Sequence, residues 1–369
     1  MIFPELLCNN NISRALEYGL TMFKSCDSVP KYLVFDATFQ GLAGHSYTFF
    51  NNDETNPPSK EMLHRAALRG DQRLLKRVLD AGIPVDVTDD DENTTALIIA
   101  CRYNHYSCAK MLLEYGANPS ARRQSGLHGL CYAAQGGFLP IAKLLIEHGV
   151  DVELPGLDGA TPFLLACRCN HVDIAEEILN AKPEYAKRVV ESALPMYLAA
   201  QHGHVPIIQF LISRGADVNV QRRVPSSSRT AAPSLNGSTA LFIACQFGHT
   251  SLVKKLVEWG ADVNLTRDDG CSPLLKAAQK GFTSIVKFLL SKGADHGLLQ
   301  NGETPLHGAA YYGHIHVIKA LVEAGADISL KNRRGITAFE KADEGGQEIV
   351  MRYLTRIQND KGVMENNSS

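Results

Sequence analysis

The sequence predicts an all-α repeat solenoid, and three observations support this fold class. Segments similar to Gly-Ala-Asp-Val-Asn recur along most of the 369-residue chain at a spacing near 33 residues. Each interval contains two stretches whose apolar residues follow helical spacing. Glycine or asparagine follows the first stretch, where a helix can end in the left-handed conformation. A fixed period of this length is typical of stacked repeats, so we expect an elongated array.

The repeat length varies at two places. Successive units end at Gly116, Gly149, Gly215, Gly260, Gly293 and Gly325, with gaps of 33, 66, 45, 33 and 32 residues. The gap of 66 holds a fourth unit with Lys182-Pro183 in place of Gly-Ala-Asp, so its loop geometry stays open. The gap of 45 exceeds the period by 12 residues, which we assign to a loop insertion near 221–237, rich in Ser, Pro and Arg.

The stretch TPLHGAAYYGH shows how one unit is predicted to fold. Thr304 is suited to cap a helix, and Pro305 fits the first turn, where its missing N–H costs nothing. Small apolar residues follow and let neighbouring helices approach closely. Gly313 is predicted to end the helix, a position that Asn104 and Asn170 take in two other units. A second apolar stretch and a turn complete a unit of helix, turn, helix and hairpin-like loop.

These units resemble the ankyrin repeat family, whose signature contains T-P-L-H-x-A. TPLHGAAYYGH and TPFLLACRCNH match it closely, and STALFIACQFGH and TTALIIACRYNH match it well. The resemblance covers eight to nine units between residues 60 and 355. It implies stacked antiparallel helix pairs, hairpin-like finger loops, a concave face and recognition of other proteins.

Two further segments flank the array. Residues 1–56 do not follow the repeat; we expect an amphipathic helix and short strands there, assign no fold, and interpret the segment as a capping or docking element. Residues 57–355 form the predicted array. Residues 356–369 are predicted to be a disordered tail.

Composition narrows the classes of function. The net charge of −2 and the pI near 6.7 give no bulk reason to expect a nucleic-acid partner. No apolar run approaches the roughly 18–20 residues that span a bilayer, and the first residues lack the basic start of a signal peptide. Nine cysteines, several inside helical patterns, indicate free thiols. We therefore expect an intracellular, cytoplasmic or nuclear, monomeric protein with no membrane partner.

Histidine and cysteine residues at repeat positions are predicted to be structural. His307 occupies a position that is Ile, Leu or Phe in most other units, which disfavours catalysis or metal binding. The turn histidines are predicted to form a ladder of hydrogen bonds; they are His105, His171, His204, His249 and His314. Cys167 and Cys169 lie two residues apart on one helix and face different sides, so they do not converge on an ion.

No enzyme motif is present in the sequence. It contains no P-loop, dinucleotide-binding fingerprint, nucleophile elbow or kinase motif. Basic pairs at the finger tips could follow a phosphate backbone, but acidic residues interrupt them; the pairs are Arg122-Arg123, Arg222-Arg223 and Arg333-Arg334. We predict no catalytic residue, metal or cofactor, and nucleic acid is disfavoured.

The last residues of each inner helix form the predicted partner-binding surface. They change chemistry from unit to unit while the core stays Leu and Ala. They are Arg69, Arg102, Tyr103, Gln135, Arg168, Gln201, His202, Gln246, Phe247, Gln279, Lys280, Tyr311 and Tyr312. Arginines precede aromatics along the chain, so we predict an extended partner segment with acidic and apolar residues.

The favoured hypothesis is a non-catalytic scaffold or adaptor that binds a protein partner in the concave groove. The alternative is a substrate-recognition subunit of a larger enzyme complex, for example a ubiquitin ligase, docking through residues 1–56. The family resemblance also implies hydroxylation of loop asparagines that follow a leucine by eight residues, which selects Asn219 and Asn264. The competing interpretation is an asparagine that only hydrogen-bonds within its own turn.

Overall fold

The computed structural model describes residues 57–89, 92–223 and 236–366, with side chains described up to residue 359. Within these ranges the chain forms 19 helices, which make nine antiparallel pairs and one additional helix. The described residues contain no sheet, only the isolated bridges Thr88–Thr95 and Arg122–His128 between the two sides of finger loops. The predicted all-α repeat solenoid is therefore confirmed, with nine units.

The first helix of each pair packs beside the first helix of the next unit, and these are the inner helices. They are α1 Lys60–Arg69, α3 Ala96–Arg102, α5 Gly129–Gly136, α7 Pro162–Cys169, α10 Ala193–Gln201, α12 Ala240–Phe247, α14 Pro273–Gln279, α16 Pro305–Tyr311 and α18 Ala338–Glu344. The outer helices are α2 Gln72–Asp80, α4 Tyr106–Glu114, α6 Leu139–Glu147, α8 Val172–Ala181, α11 Val205–Ser213, α13 Thr250–Glu258, α15 Thr283–Ser291, α17 Ile315–Glu323 and α19 Glu348–Asn366. The additional helix is α9 Pro183–Val190.

Side-chain caps start most of the inner helices, as the sequence predicts. The hydroxyl of Thr304 accepts a hydrogen bond from the backbone N–H of His307, and the His307 ring accepts one from the N–H of Thr304 in return. Helix α7 ends at Asn170, whose φ of 63° lies in the left-handed region, and Gly248 ends α12 in the same way with a φ of 79°.

The core is a continuous layer between inner and outer helices. In the eighth unit, Ala309 and Ala310 of α16 are fully buried against Val317, Ile318 and Leu321 of α17. The small alanine side chains let neighbouring inner helices pack closely, and the same arrangement recurs along the array. Each unit thus leaves the exposed ends of its inner helix free to vary.

Helix α9 replaces the finger loop of the fourth unit and settles the geometry that the sequence left open. Its Tyr185 is buried, with its ring edge-on to Phe163 at 6.2 Å between centroids and its hydroxyl 3.0 Å from that of Thr161. The side chains of Lys182 and Arg188 both pair with the Glu153 carboxylate on the preceding finger. A short helix thereby bridges the units on either side.

The structure describes helix up to residue 366, whereas the sequence predicts a disordered tail over 356–369. Helix α19 runs from Glu348 to Asn366. Leu354 is buried and Ile357 packs against the core. This stretch contains no proline, and its Arg, Gln, Lys, Met and Glu residues favour helix. The helix, whose first turns pack against the core, therefore continues beyond them.

The described ranges allow a comparison with only some of the other expectations. The cysteines described are free thiols, as predicted, and most are buried. Among the helices of the described residues none is long and apolar enough to cross a membrane. The predictions for residues 1–56, for most of the insertion near 221–237 and for 367–369 lie outside the described residues.

Candidate functional site

The predicted partner-binding residues all lie at or just beyond the carboxyl ends of inner helices, and we call the surface they form the inner-helix face. Some of their side chains are exposed: Arg69, His202, Phe247, Lys280, Tyr311 and Tyr312. The others are half-buried: Arg102, Tyr103, Gln135, Arg168, Gln201, Gln246 and Gln279. Because neighbouring inner helices pack side by side, the structure brings these residues together as one row along the array.

The first half of the inner-helix face contains a cation–aromatic cluster. The Arg102 guanidinium lies 5.6 Å from the ring centroids of both Tyr103 and Tyr132. The Tyr132 hydroxyl accepts a hydrogen bond from Arg123 at 2.6 Å, and Arg123 pairs with Glu92. This part of the face therefore combines arginine side chains with aromatic rings.

The second half of the inner-helix face presents exposed aromatic rings. Tyr311, Tyr312 and Phe247 are 41%, 55% and 43% exposed. The two tyrosine rings contact each other edge-on at 5.0 Å between centroids. Tyr312 stacks on His314, and Phe247 on His249, with 6.3 Å between centroids in each pair. The histidines therefore hold the exposed rings in place.

The structure adds residues that sequence reasoning missed. Tyr132 and Lys276 lie one helical turn before the predicted positions of their own units, so they share the same helix face. The spacing of three and four residues from Gln135 and Lys280 could have identified them. Most other units have an aliphatic residue at this position, so the sequence does not indicate that the position belongs to the exposed face.

The turn histidines form the predicted ladder. In four of the five described units with this histidine, ring Nε2 donates to the last-turn carbonyl of the preceding inner helix. The pairs are His105 to Leu68 at 3.0 Å, His204 to Arg168 at 2.9 Å, His249 to Gln201 at 2.9 Å and His314 to Gln279 at 3.1 Å. The fifth, His171, lies against Gly137, where an added Cβ would fall 2.5 Å from its ring. These histidines are structural, as predicted.

His64 and His307 are also structural. Their Nε2 atoms lie 3.0 Å from the carbonyl of Val87 and 2.9 Å from that of Ile336, so each ring ties an inner helix to a finger loop. Burial lowers the pKa of both rings, which keeps them neutral near pH 7. His128, which the sequence did not single out, does the same with the carbonyl of Leu154.

The basic finger tips hold neighbouring fingers together. Arg122 donates to the carbonyl of Pro155 on the next finger at 2.6 Å. Arg223 pairs with Asp268 on the next finger at 2.7 Å, and Arg333 donates to the carbonyl of Gln300 on the preceding one. Arg223 is paired with a carboxylate, whereas Arg122 and Arg333 keep their charge and are held against neighbouring fingers.

The thiols described are poorly suited to chemistry. Burial raises the pKa of the Cys101, Cys167 and Cys245 thiols far above the ordinary range, so they stay protonated. Within the described residues, no three His, Cys, Asp or Glu side chains are grouped so that they could hold a metal ion.

Asn219 and Asn264 join neighbouring finger bases. The Asn219 side chain accepts from the N–H of Asp262 at 2.8 Å and donates to the carbonyl of Gly260 at 3.2 Å. Asn264 makes the equivalent pair of bonds with the next unit, 2.8 Å to the N–H of Asp295 and 3.3 Å to Gly293. Both amides therefore have a structural role between units, and hydroxylation at these positions stays a prediction.

The stacked helix pairs, which finger loops and a histidine ladder join, define a helical repeat solenoid. A family model described as Ankyrin repeats (3 copies) matches residues 31–123, 130–222, 196–299, 241–332 and 277–364. The chain belongs to the ankyrin repeat family, whose repeats are generally protein–protein interaction modules. The first match begins inside the segment 1–56. The comparison with curated proteins found no match.

Proposed function

We propose that this chain is a non-catalytic adaptor or scaffold whose inner-helix face binds an extended segment of a protein partner. The observation that carries the proposal is the row of exposed aromatic side chains Phe247, Tyr311 and Tyr312. Two of these rings, Phe247 and Tyr312, stack on histidines of the ladder. Exposed aromatic rings in fixed orientations are typical centres of protein interfaces.

The rigidity of the face supports tight binding. The Thr304 cap fixes the start of α16, while the bond from His314 to Gln279 fixes its end against the preceding unit. A surface that is ordered before binding loses little conformational entropy when a partner docks. Arg102, whose guanidinium lies over two tyrosine rings, provides a positive charge in the same row, so the partner segment is expected to carry carboxylates as well as apolar side chains.

A capture experiment with matched variants tests this function. Full-length protein carrying Phe247→Ala or Tyr311→Ala is compared with wild type for partner recovery from cells. Tyr106→Ala and Ile349→Ala remove exposed side chains on outer helices, 41% and 71% exposed, and serve as controls. We expect each inner-face change to weaken binding by about 2 kcal/mol, and the controls to bind as wild type.

The opposite pattern would place the interface elsewhere. If both inner-face variants recover the partner as wild type does, the inner-helix face does not hold it. Circular dichroism of each variant establishes that the helices persist, so that a loss of binding reports on the surface and not on the fold.

A further inference from the structure

A lysine that has no ion-pair or hydrogen-bond partner among the described residues lies in the second half of the inner-helix face. Lys276 of α14 is half-buried at the position that Ile243 holds in the preceding unit and Gly308 in the following one. Among the described residues no carboxylate forms an ion pair with its ammonium group, and no hydrogen bond satisfies it. A half-buried charge without a partner destabilises a protein, so its presence suggests a role in binding.

The charges around Lys276 make its environment more positive. Arg267 and Lys280 are nearby cations, and the nearby carboxylate Asp269 is already paired with Arg267. Cys271 adds no charge, because burial raises the pKa of its thiol to about 11. Partial burial lowers the pKa of Lys276 itself. Because Asp269 pairs with Arg267, the positive charges of Lys276 and Lys280 remain in this part of the face.

Aromatic side chains lie on both sides of Lys276 and Lys280 along the inner-helix face. Phe247, Lys280 and Tyr312 occupy the same position in three consecutive units. Lys276 lies one turn before Lys280 on α14, so both ammonium groups project from the same helix face. The order along the face is aromatic ring, two lysines, aromatic ring.

We propose that Lys276 and Lys280 bind an Asp or Glu carboxylate of the partner segment, flanked by apolar residues that contact Phe247 and Tyr312. This inference rests on the proposed function. Packed helices lie roughly 8–10 Å apart, and an extended chain advances about 3.3 Å per residue. The apolar residues are therefore expected about three positions before and after the acidic residue.

The side chains favour a carboxylate over a phosphate group. Phosphate recognition commonly uses the two parallel donors of arginine, but the guanidinium of Arg267 is occupied by Asp269. Two lysines offer point charges, and the rings on each side suit apolar side chains rather than a polyanion. An acidic peptide segment fits all three features.

Selection of peptides on the full-length protein tests the site. A library of displayed random peptides is selected on wild type, on Lys276→Met and on Lys287→Gln. Lys287 is exposed on α15, the outer helix of the same unit, and provides the control. We expect wild type and the control to enrich an acidic residue with apolar residues three positions on either side. On Lys276→Met the acidic preference should disappear while the apolar preference remains.

The outcomes separate this inference from the proposed function. Wild-type peptides without an acidic preference, or an unchanged preference on Lys276→Met, would overturn the carboxylate site alone. A selection that is unchanged on a Phe247→Ala, Tyr311→Ala double variant would show that peptides bind elsewhere, and the proposed function would fail with it.

Affinity measurements give a second readout. By fluorescence anisotropy, changing the acidic residue of a selected peptide to its amide should weaken binding to wild type about tenfold, and binding to Lys276→Met much less. If a phosphoserine peptide binds wild type more than about tenfold tighter than the acidic peptide does, the two lysines bind phosphate instead, and the proposal is wrong.

Thermal unfolding of the free protein distinguishes binding from a structural role for Lys276. Replacing an unpaired, half-buried charge by an apolar side chain of similar length is expected to leave the unfolding midpoint of Lys276→Met unchanged or higher. A clearly lower midpoint would mean that Lys276 stabilises the array, and would contradict the proposal.

Discussion

At the level of single residues, one histidine joins two units through two contacts. The ring of His249 lies over Gly203, where an added Cβ would fall 2.8 Å from Nδ1, and its Nε2 donates to the carbonyl of Gln201 at 2.9 Å. The φ of 73° at Gly203 requires glycine or a similarly tolerant residue, so the close approach and the turn depend on the same position. The ring therefore couples the ends of two inner helices.

Replacing this histidine tests the coupling. We expect His249→Ala to lower the free energy of unfolding by about 1–3 kcal/mol, because it leaves the Gln201 carbonyl without its donor and removes the ring contact. Denaturant titration measures the change. His316→Ala, on the exposed side of α17, should change stability by less than about 0.5 kcal/mol. Equal effects of the two changes would show that the ladder contributes little.

At the level of secondary-structure elements, α9 is the least supported helix of the inner units. Only Tyr185 and Val190 of its residues are buried, and no side chain caps its first turn at Lys182. Its two ion pairs to Glu153 lie at the surface, where such pairs contribute little. Local opening is expected to begin where so few contacts hold the backbone.

Hydrogen exchange measures this difference between elements. We expect residues 182–192 to exchange before α7 and α10, and Tyr185→Ala to accelerate exchange in this segment more than elsewhere. The reason is that the Tyr185 ring and hydroxyl provide the contacts to Phe163 and Thr161. Uniform protection from α7 through α10 would be the contrary result.

The sequence predicts the elements whose determinants are local. Caps such as Thr304, turn residues such as Asn170 and the apolar spacing lie within one unit, so the helices, the units and the face could be derived from them. Helix α9 and the extension of α19 depend on packing against residues distant in the sequence, as Tyr185 and Ile357 show. Such contacts leave no periodic pattern in the sequence.

The candidate site could be predicted in position but not in chemistry. The exposed ends of inner helices follow from the repeat, which identified Phe247 and Tyr312. The role proposed for Lys276 depends on which charges surround it after folding. Arg267 is paired with Asp269, and among the described residues no carboxylate forms an ion pair with Lys276. Spacing alone does not reveal which charges have partners.

At the level of the whole molecule, buried and half-buried histidines make stability depend on pH. Burial is the main cause of a lowered pKa in the rings of His64, His128, His204 and His307. The unfolded chain takes up protons near the ordinary value of 6.5, whereas the folded chain resists protonation until a lower pH. The free energy of unfolding should therefore fall as the pH drops below 6.5.

Denaturant titrations at about pH 7.5 and about pH 5.5 measure this loss, since most carboxylates remain ionised at both values. We expect a lower midpoint at the lower pH. His204→Gln should reduce the difference between the two midpoints, even if it lowers both. A midpoint that is unchanged or higher at the lower pH would contradict the burial of these rings in the neutral form.

The central claim is that a protein partner lies along the inner-helix face, and site-specific photo-crosslinking tests it most directly. A photoreactive phenylalanine analogue replaces Phe247, Tyr312 or, as the control on outer helix α4, Tyr106 in the full-length protein. We predict crosslinks to the same partner from positions 247 and 312 and none from position 106. Crosslinks to that partner from position 106, with none from 247 or 312, would contradict the account.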